Sequence, residues 1–165
     1  AVLTLVSRLM GFLRDLFLAS QLGTSAQTDI YFTAFRLPDV VYNLLVLGTL
    51  SAAFIPIFTE AYTKNKAEAW RIASSILNIS ILVMGVICLL LFAFTEPLTK
   101  IIAPGFSDAE LAETVKLTRI FLLSPILFTV SSVFSSSLIS LKKFVWVNSA
   151  ALFYNAGIIL SLIHI

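Results

Sequence analysis

The sequence has a single cysteine and a single histidine, and neither has the partners that a disulfide or a metal site needs. Cys88 lies in an apolar run, where we expect it to pack as a small apolar side chain, and His164 is the penultimate residue. One cysteine excludes an intrachain disulfide, and the scattered carboxylates give no zinc site of the usual spacing. We therefore predict no metal and no cofactor.

Charge is equally scarce, at 12% of the 165 residues, against about 25% in soluble domains. The net charge is only +2, and no run of basic residues predicts a surface for nucleic acid. The sequence also lacks a nucleophile–base pair and a glycine-rich phosphate loop. These absences argue against an enzyme or an NTP-driven pump, so any transport would draw on an ion gradient or the membrane potential.

Apolar residues, in contrast, make up 59% of the chain, which is typical of a membrane protein. A helix needs about 20 mainly apolar residues to cross the hydrocarbon core. The sequence predicts an all-α, polytopic transmembrane bundle with about five spanning helices, over residues 2–22, 29–62, 72–94, 117–141 and 145–165. Because the chain starts at Ala1 without a methionine and stops in an apolar run, we expect a fragment of a longer protein or a truncated gene.

The second predicted span is too long for one straight crossing, since residues 29–62 would form a helix of roughly 50 Å. We expect it to bend at Pro38, Gly48 and Pro56, because proline removes a helical hydrogen bond and favours a kink. Pro125 predicts a further kink in the fourth span. Such bends would serve as hinges for alternating access.

The basic loops predict the orientation in the membrane. Short loops rich in lysine and arginine stay in the cytoplasm, and tryptophan favours the membrane interface. The residues that carry this pattern are Lys64, Lys66, Trp70, Arg71, Lys142, Lys143 and Trp146. The N-terminus is therefore predicted to be cytoplasmic, with membrane lipids around the helices.

Three arginines, Arg8, Arg14 and Arg36, lie inside the first two predicted spans. A guanidinium stays charged and costs roughly 2.5–3.5 kcal/mol at the bilayer centre, so it usually faces a bundle interior or a wet cavity. We predict that they line a cationic cavity that accepts an anionic cargo. Alternatively, Asp15 pairs with one arginine and fixes helix packing, while Gly11 lets a neighbouring helix approach closely.

The second span carries a polar stripe, because Asp29, Arg36 and Asn43 recur every seven residues. A stripe of this kind is typical of a cavity wall. Two alternatives remain: Arg36 pairs with Asp39 or Asp15 as a contact between helices, and Asp29 is only a helix cap at the outer surface. The serine-rich stretch at 131–137 in the fourth span is better explained by helix packing than by substrate binding.

Several short stretches together resemble the MurJ/MviN lipid II flippases. They are SRLMGFLRD at 7–15, TD at 28–29, AFRLP at 34–38, Gly48, Ser51, AFIPI at 53–57, APGF at 103–106 and Asn155. The resemblance covers nearly the whole chain and implies part of the N-terminal lobe of a two-lobed, fourteen-helix transporter of the multidrug/oligosaccharidyl-lipid/polysaccharide exporter superfamily. It also implies that Arg8 and Arg14 line a cationic central cavity and that Asp29 lies at the outer end of the second helix. Arg36 stands at a position where the family has a basic residue.

The cargo that the resemblance implies is lipid II, a lipid-linked pyrophosphate sugar precursor, moved across the bacterial cytoplasmic membrane for peptidoglycan biosynthesis. One departure is that Tyr42, Asn43 and Leu47 stand where the family pattern has an arginine pair and an acid. Export of another lipid-linked oligosaccharide or an amphipathic solute therefore stays open, as does a non-transporting scaffold for cell-wall enzymes. With five spans, transport would need the rest of the transporter or a self-oligomer.

Overall fold

A computed structural model describes residues 2–23, 25–44, 46 and 51–163, and every regular element in these ranges is helical. The helices are α1 (Val2–Leu22), α2 (Ala26–Tyr42), α3 (Ser51–Lys64), α4 (Lys66–Ala93), α5 (Thr95–Ile102), α6 (Asp108–Phe121), α7 (Ser124–Ser140) and α8 (Phe144–Ile163). The all-α membrane bundle is thereby confirmed.

Three helical stretches of the described chain are long and apolar enough to cross a membrane: Lys66–Ala93, Asp108–Ser140 and Phe144–Ser161. The first helix has 21 residues but carries three charged residues, Arg8, Arg14 and Asp15, and it is not one of these three stretches. The count of five spans stays a prediction.

The second predicted span consists of two described helices, α2 and α3. Pro38 is buried within α2, and Pro56 lies exposed within α3. Beyond Tyr42 the backbone widens into a π-helical turn that includes Asn43. Leu47 and the predicted hinge Gly48 lie outside the described residues, so a bend at Gly48 stays a prediction.

The helical stretch that contains the fourth predicted span begins before residue 117 and is interrupted at residues 122–123. Helix α6 starts at Asp108 behind a capping box, in which the Ser107 hydroxyl and the Glu110 carboxylate each bond the other's backbone N–H. Helix α6 ends at Phe121, and α7 starts at Ser124 with Pro125 in its first turn. The interruption therefore coincides with the proline predicted to kink this span.

The core lies where α3, α4 and α7 pack together. Its buried side chains are Phe54, Phe58, Ala69, Ala73 and Val133. Tyr62, near the end of α3, and Leu141, just after α7, pack against this same cluster. The two basic loops, at 64–66 and 142–143, therefore emerge at one end of the bundle.

Hydroxyl side chains line the helix contacts of α6 and α7. Thr118 and Thr129 are buried, and each hydroxyl donates to the carbonyl four residues earlier, at 2.8 and 2.7 Å. In the serine-rich stretch, Ser132, Ser136 and Ser137 are buried, whereas Ser131 is exposed. Small residues of this kind let helices approach closely, which supports the packing role expected for these serines.

Candidate functional site

A polar cavity of about 320 Å³ opens between α1, α2 and α8. Its lining consists of Arg14 and Asp15 from α1, Tyr31, Phe32, Phe35, Arg36 and Asp39 from α2, and Tyr154 and Ile158 from α8. Helix α1 packs mainly on α8, and α2 packs on α6 and α7. The walls of the cavity are therefore positioned by the contacts α1–α8, α2–α6 and α2–α7.

Arg14 is the most constrained charged group of the cavity. Its Nε and Nη2 donate to Asp15 Oδ1 at 2.9 and 2.8 Å, and its Nη1 donates to Asn155 Oδ1 at 3.2 Å. The Arg14 side chain is 27% exposed and that of Asp15 63%, so this ion pair lies at the cavity edge. The predicted pairing of Asp15 with an arginine is therefore present, within α1 itself.

Helix α2 presents one buried face and one open face, as its periodicity requires. Ile30, Ala34 and Pro38, spaced four residues apart, are buried against the bundle. Arg36 and Asp39 lie on the open side and line the cavity. The carboxylates of Asp15 and Asp39 form no salt bridge with Arg36, and Arg36 has no ion pair with any residue that the structure describes.

The structure brings together two of the five residues predicted to form the cavity, Arg14 and Arg36. Arg8, Asp29 and Asn43 are exposed and are not part of the described lining. The lining carries two arginines and two aspartates, so its formal charge is zero. The wall that this chain provides is thus rich in charge without being net cationic.

Several lining residues were not predicted from the sequence. Tyr31 and Phe35 pack edge-on or tilted against Phe121 of α6, with ring centroids 5.6 and 4.5 Å apart. Tyr154 contacts Phe128 of α7 at 6.2 Å. No pattern in the sequence distinguishes these rings from the many aromatic side chains that face lipid or the core.

Gly11 lies opposite Asn155, as expected for a contact between α1 and a neighbouring helix. A Cβ atom added to Gly11 would lie 3.9 Å from Asn155 Nδ2 and 4.0 Å from Oδ1, which is ordinary van der Waals contact. This contact therefore leaves space for one methyl group beside Asn155.

A second cavity, of about 400 Å³, has an apolar lining from α3, α4, α7 and Val46, including Phe54, Met84 and Thr129. It contains no charged residue among those described, so it does not provide a second ionic site. Within the described ranges, no three histidine, cysteine, aspartate or glutamate side chains are grouped so as to hold a metal ion.

Comparison with known proteins gives one consistent family. The family model "Lipid II flippase MurJ" matches residues 18–164. Three proteins named probable lipid II flippase MurJ are similar to nearly the whole chain. The protein of Buchnera aphidicola from Acyrthosiphon pisum is 33% identical over 96% of this chain and 32% of its own length, and that of Aquifex aeolicus is 34% identical over 96% of this chain and 32% of its own length. The protein of Rhizobium tropici is 30% identical over 98% of this chain and 31% of its own length. The chain thus spans about a third of the length of these relatives. No solved structure matches it significantly.

Proposed function

Because this chain belongs to the lipid II flippase MurJ family, we propose that it forms the N-terminal part of a transporter that moves lipid II across the cytoplasmic membrane. The headgroup would cross through a central cavity by alternating access while the lipid tail stays in the bilayer. The protein would thus act as a transporter and not as an enzyme.

The observation that carries this proposal is the placement of Arg14 and Arg36 on two walls of one cavity. A pyrophosphate needs permanently charged partners with several donors, which arginine supplies better than lysine. Asp15 and Asn155 hold the Arg14 guanidinium, while Arg36 has no ion pair with a described residue. Arg36 is therefore available to an anion without first breaking a salt bridge.

The cavity would be completed by other helices of the full protein or by a second copy. Its volume of about 320 Å³ is near the lower end of ligand pockets, about 300–1,000 Å³, and a lipid-linked sugar headgroup is larger than most ligands. Its formal charge of zero also requires further cations if the whole cavity is to be cationic. Both facts favour action as one wall of a larger transporter.

We also propose that the N-terminus is cytoplasmic and that the protein resides in the bacterial inner membrane. Lys64, Lys66, Lys142 and Lys143 are exposed at one end of the bundle, as the positive-inside rule requires of a cytoplasmic face. The segment from α5 to the first turn of α6 would face outward, and it carries three acidic residues, Glu96, Asp108 and Glu110, against one basic residue, Lys100.

A second candidate is export of a different lipid-linked oligosaccharide or amphipathic solute on the same scaffold. The observation in its favour is the neutral lining, together with Tyr42 and Asn43 at positions where the resemblance leads one to expect arginine. A less anionic cargo would suit such a cavity.

The test is translocation by the purified full-length protein in lipid vesicles, measured as the fraction of labelled lipid II accessible to a degrading enzyme added outside. Arg14→Ala should lower the initial rate roughly tenfold, the effect of losing a charge-assisted hydrogen bond. Arg71→Ala, at an exposed arginine outside the cavity, is the matched control.

Unlabelled lipid II should compete with the labelled substrate, and other lipid-linked pyrophosphate sugars should compete less. Absence of translocation by the unmodified protein would reject the flippase function. Stronger competition by another lipid-linked sugar would favour the second candidate.

A further inference from the structure

Asn155 is a polar side chain enclosed in the contact between α8 and α1. Only 7% of the residue is exposed, and both ends of its amide are engaged. Its Oδ1 accepts from Arg14 Nη1 at 3.2 Å, and its Nδ2 donates to the backbone oxygen of Ser7 at 3.2 Å. A second, longer contact joins Nδ2 to Ser7 Oγ at 3.5 Å.

These bonds fix the direction of the amide. Nδ2 is a donor only, and it is held by a carbonyl of α1 one turn before Gly11, so Oδ1 must point along α1 toward Arg14. Ser7, Gly11 and Arg14 follow one another at spacings of four and three, which places them on one face of α1. Asn155 therefore spans this face over two helical turns.

The arrangement constrains the Arg14 guanidinium from two sides. Asp15 accepts from Nε and Nη2, and Asn155 accepts from Nη1. These two acceptors together hold the orientation of the guanidinium plane. A guanidinium has five N–H donors, which leaves donors for a ligand in the cavity. Since an asparagine carries no charge, it orients Arg14 without neutralising it, whereas a second carboxylate at this place would oppose anion binding.

We propose that Asn155 is a positioning residue for the transported headgroup, acting through Arg14. The inference rests on the proposed function, because it takes Arg14 to contact the anionic part of the cargo. Asn155 itself does not line the cavity. Its role is to link the position of the cation on α1 to the position of α8, so that a movement between these helices changes the orientation of Arg14.

The experiment compares two substitutions of similar size in the full-length protein. Asn155→Leu removes the acceptor for Arg14, and Asn155→Asp retains it. The measurement is the initial translocation rate of labelled lipid II as a function of its concentration, which separates the half-saturating concentration from the maximal rate. Asn78→Leu is the matched control, because Asn78 is an exposed asparagine on α4.

We expect Asn155→Leu to raise the half-saturating concentration of lipid II roughly tenfold, as the loss of one hydrogen bond to a charged group does. Asn155→Asp should also raise it, because the carboxylate adds a negative charge beside Arg14 and lacks the donor to Ser7, and Asn78→Leu should match the unmodified protein. Arg14→Ala combined with Asn155→Leu should be no worse than Arg14→Ala alone, because both changes remove the same interaction.

Two results would overturn the inference: effects of the two single changes that multiply in the double variant, and an Asn155→Leu or Asn155→Asp protein equal to the unmodified one. If Asn155→Leu fails to fold, Asn155→Asp and its combination with Arg14→Ala decide the question in the same way. The proposed function fails separately, when the unmodified protein does not translocate lipid II or when Arg14→Ala has no effect.

Discussion

The Ser124 hydroxyl donates to the carbonyl oxygen of Phe121 at 2.6 Å, and Phe121 lies four residues before Pro125. In an unbroken helix the N–H of residue 125 would bond to this oxygen, and proline has no N–H to offer. Ser124 therefore supplies the missing donor at the junction of α6 and α7. A kink in a membrane helix needs such a substitute partner because lipid provides none.

We predict that Ser124→Ala destabilises the protein by about 1–3 kcal/mol, the cost of leaving a carbonyl without its partner. The measurement is the free energy of unfolding in detergent micelles. Ser149→Ala is the control, because the Ser149 hydroxyl bonds to the Trp146 carbonyl at 2.8 Å in a helix with no proline at position 150. Equal losses in the two variants would show that the proline junction has no special need for the hydroxyl.

A second prediction concerns the distance between α1 and α8 at Gly11. Gly11→Ala should preserve translocation, because the added methyl group makes only ordinary contact with Asn155. Gly11→Leu should abolish it, since the larger side chain would displace Asn155 and with it the Arg14 bond. Translocation and the yield of folded protein measure both effects. An alanine variant as defective as the leucine variant would mean that the two helices approach more closely than the structure shows.

A third prediction tests the orientation of the chain. Single cysteines at Lys66 and Lys143, both exposed, should react with a membrane-impermeant thiol reagent only after the cells are opened. A cysteine at Asp108, beside the loop at the opposite end, should react in intact cells. Cys88 and any other cysteine of the full protein are replaced first. Labelling of the Lys143 position in intact cells would reverse the proposed orientation.

A fourth prediction concerns pH and the ion pair of α5, where Lys100 Nζ lies 2.8 Å from Glu96 Oε1. The hydrogen bond from Lys100 lowers the pKa of Glu96 below its ordinary value of 4.5, with smaller contributions from the charges of Lys100 and Arg119. A depressed pKa means that the stabilisation is complete above the unfolded-state pKa and disappears as the pH falls through the folded-state pKa.

The melting temperature of Glu96→Gln should therefore be slightly below that of the unmodified protein at pH 7, and the two should converge in acid. The expected difference is small because both side chains are exposed to solvent. Glu113→Gln, at an exposed glutamate of α6, should show no such convergence. A difference that persists at the lowest pH would contradict the assignment of the effect to this ion pair.

Much of the fold could be predicted from the sequence because apolar length and helix-ending residues are local properties. The helices over 2–22 and from 144 onward, and the disturbance at Pro125, follow from such properties. The separate helix α5 was not predicted, because its eight residues include Pro97 and polar side chains. The start of α6 at Asp108 depends on the capping box between Ser107 and Glu110.

The site was only partly predictable because the rotation of each helix is set by distant partners. Arg8 and Arg14 belong to the same helix, yet only Arg14 faces Asn155 of α8 and lines the cavity. The heptad stripe of α2 predicts that Arg36 lies on a cavity wall, but the local sequence does not show where along the helix the cavity ends. Asn155 lies 141 residues from Arg14 in the chain, a separation that no local pattern bridges.

The most direct measurement is the reactivity of a single cysteine at Arg36 of the full-length protein toward a water-soluble thiol reagent, with and without lipid II. If the cavity is hydrated and accepts the headgroup, this cysteine is labelled and lipid II slows the labelling. A cysteine at Ala34, on the buried face of the same helix, stays unlabelled in both conditions. An Arg36 position that is as unreactive as Ala34, or whose labelling is unaffected by lipid II, would contradict the account.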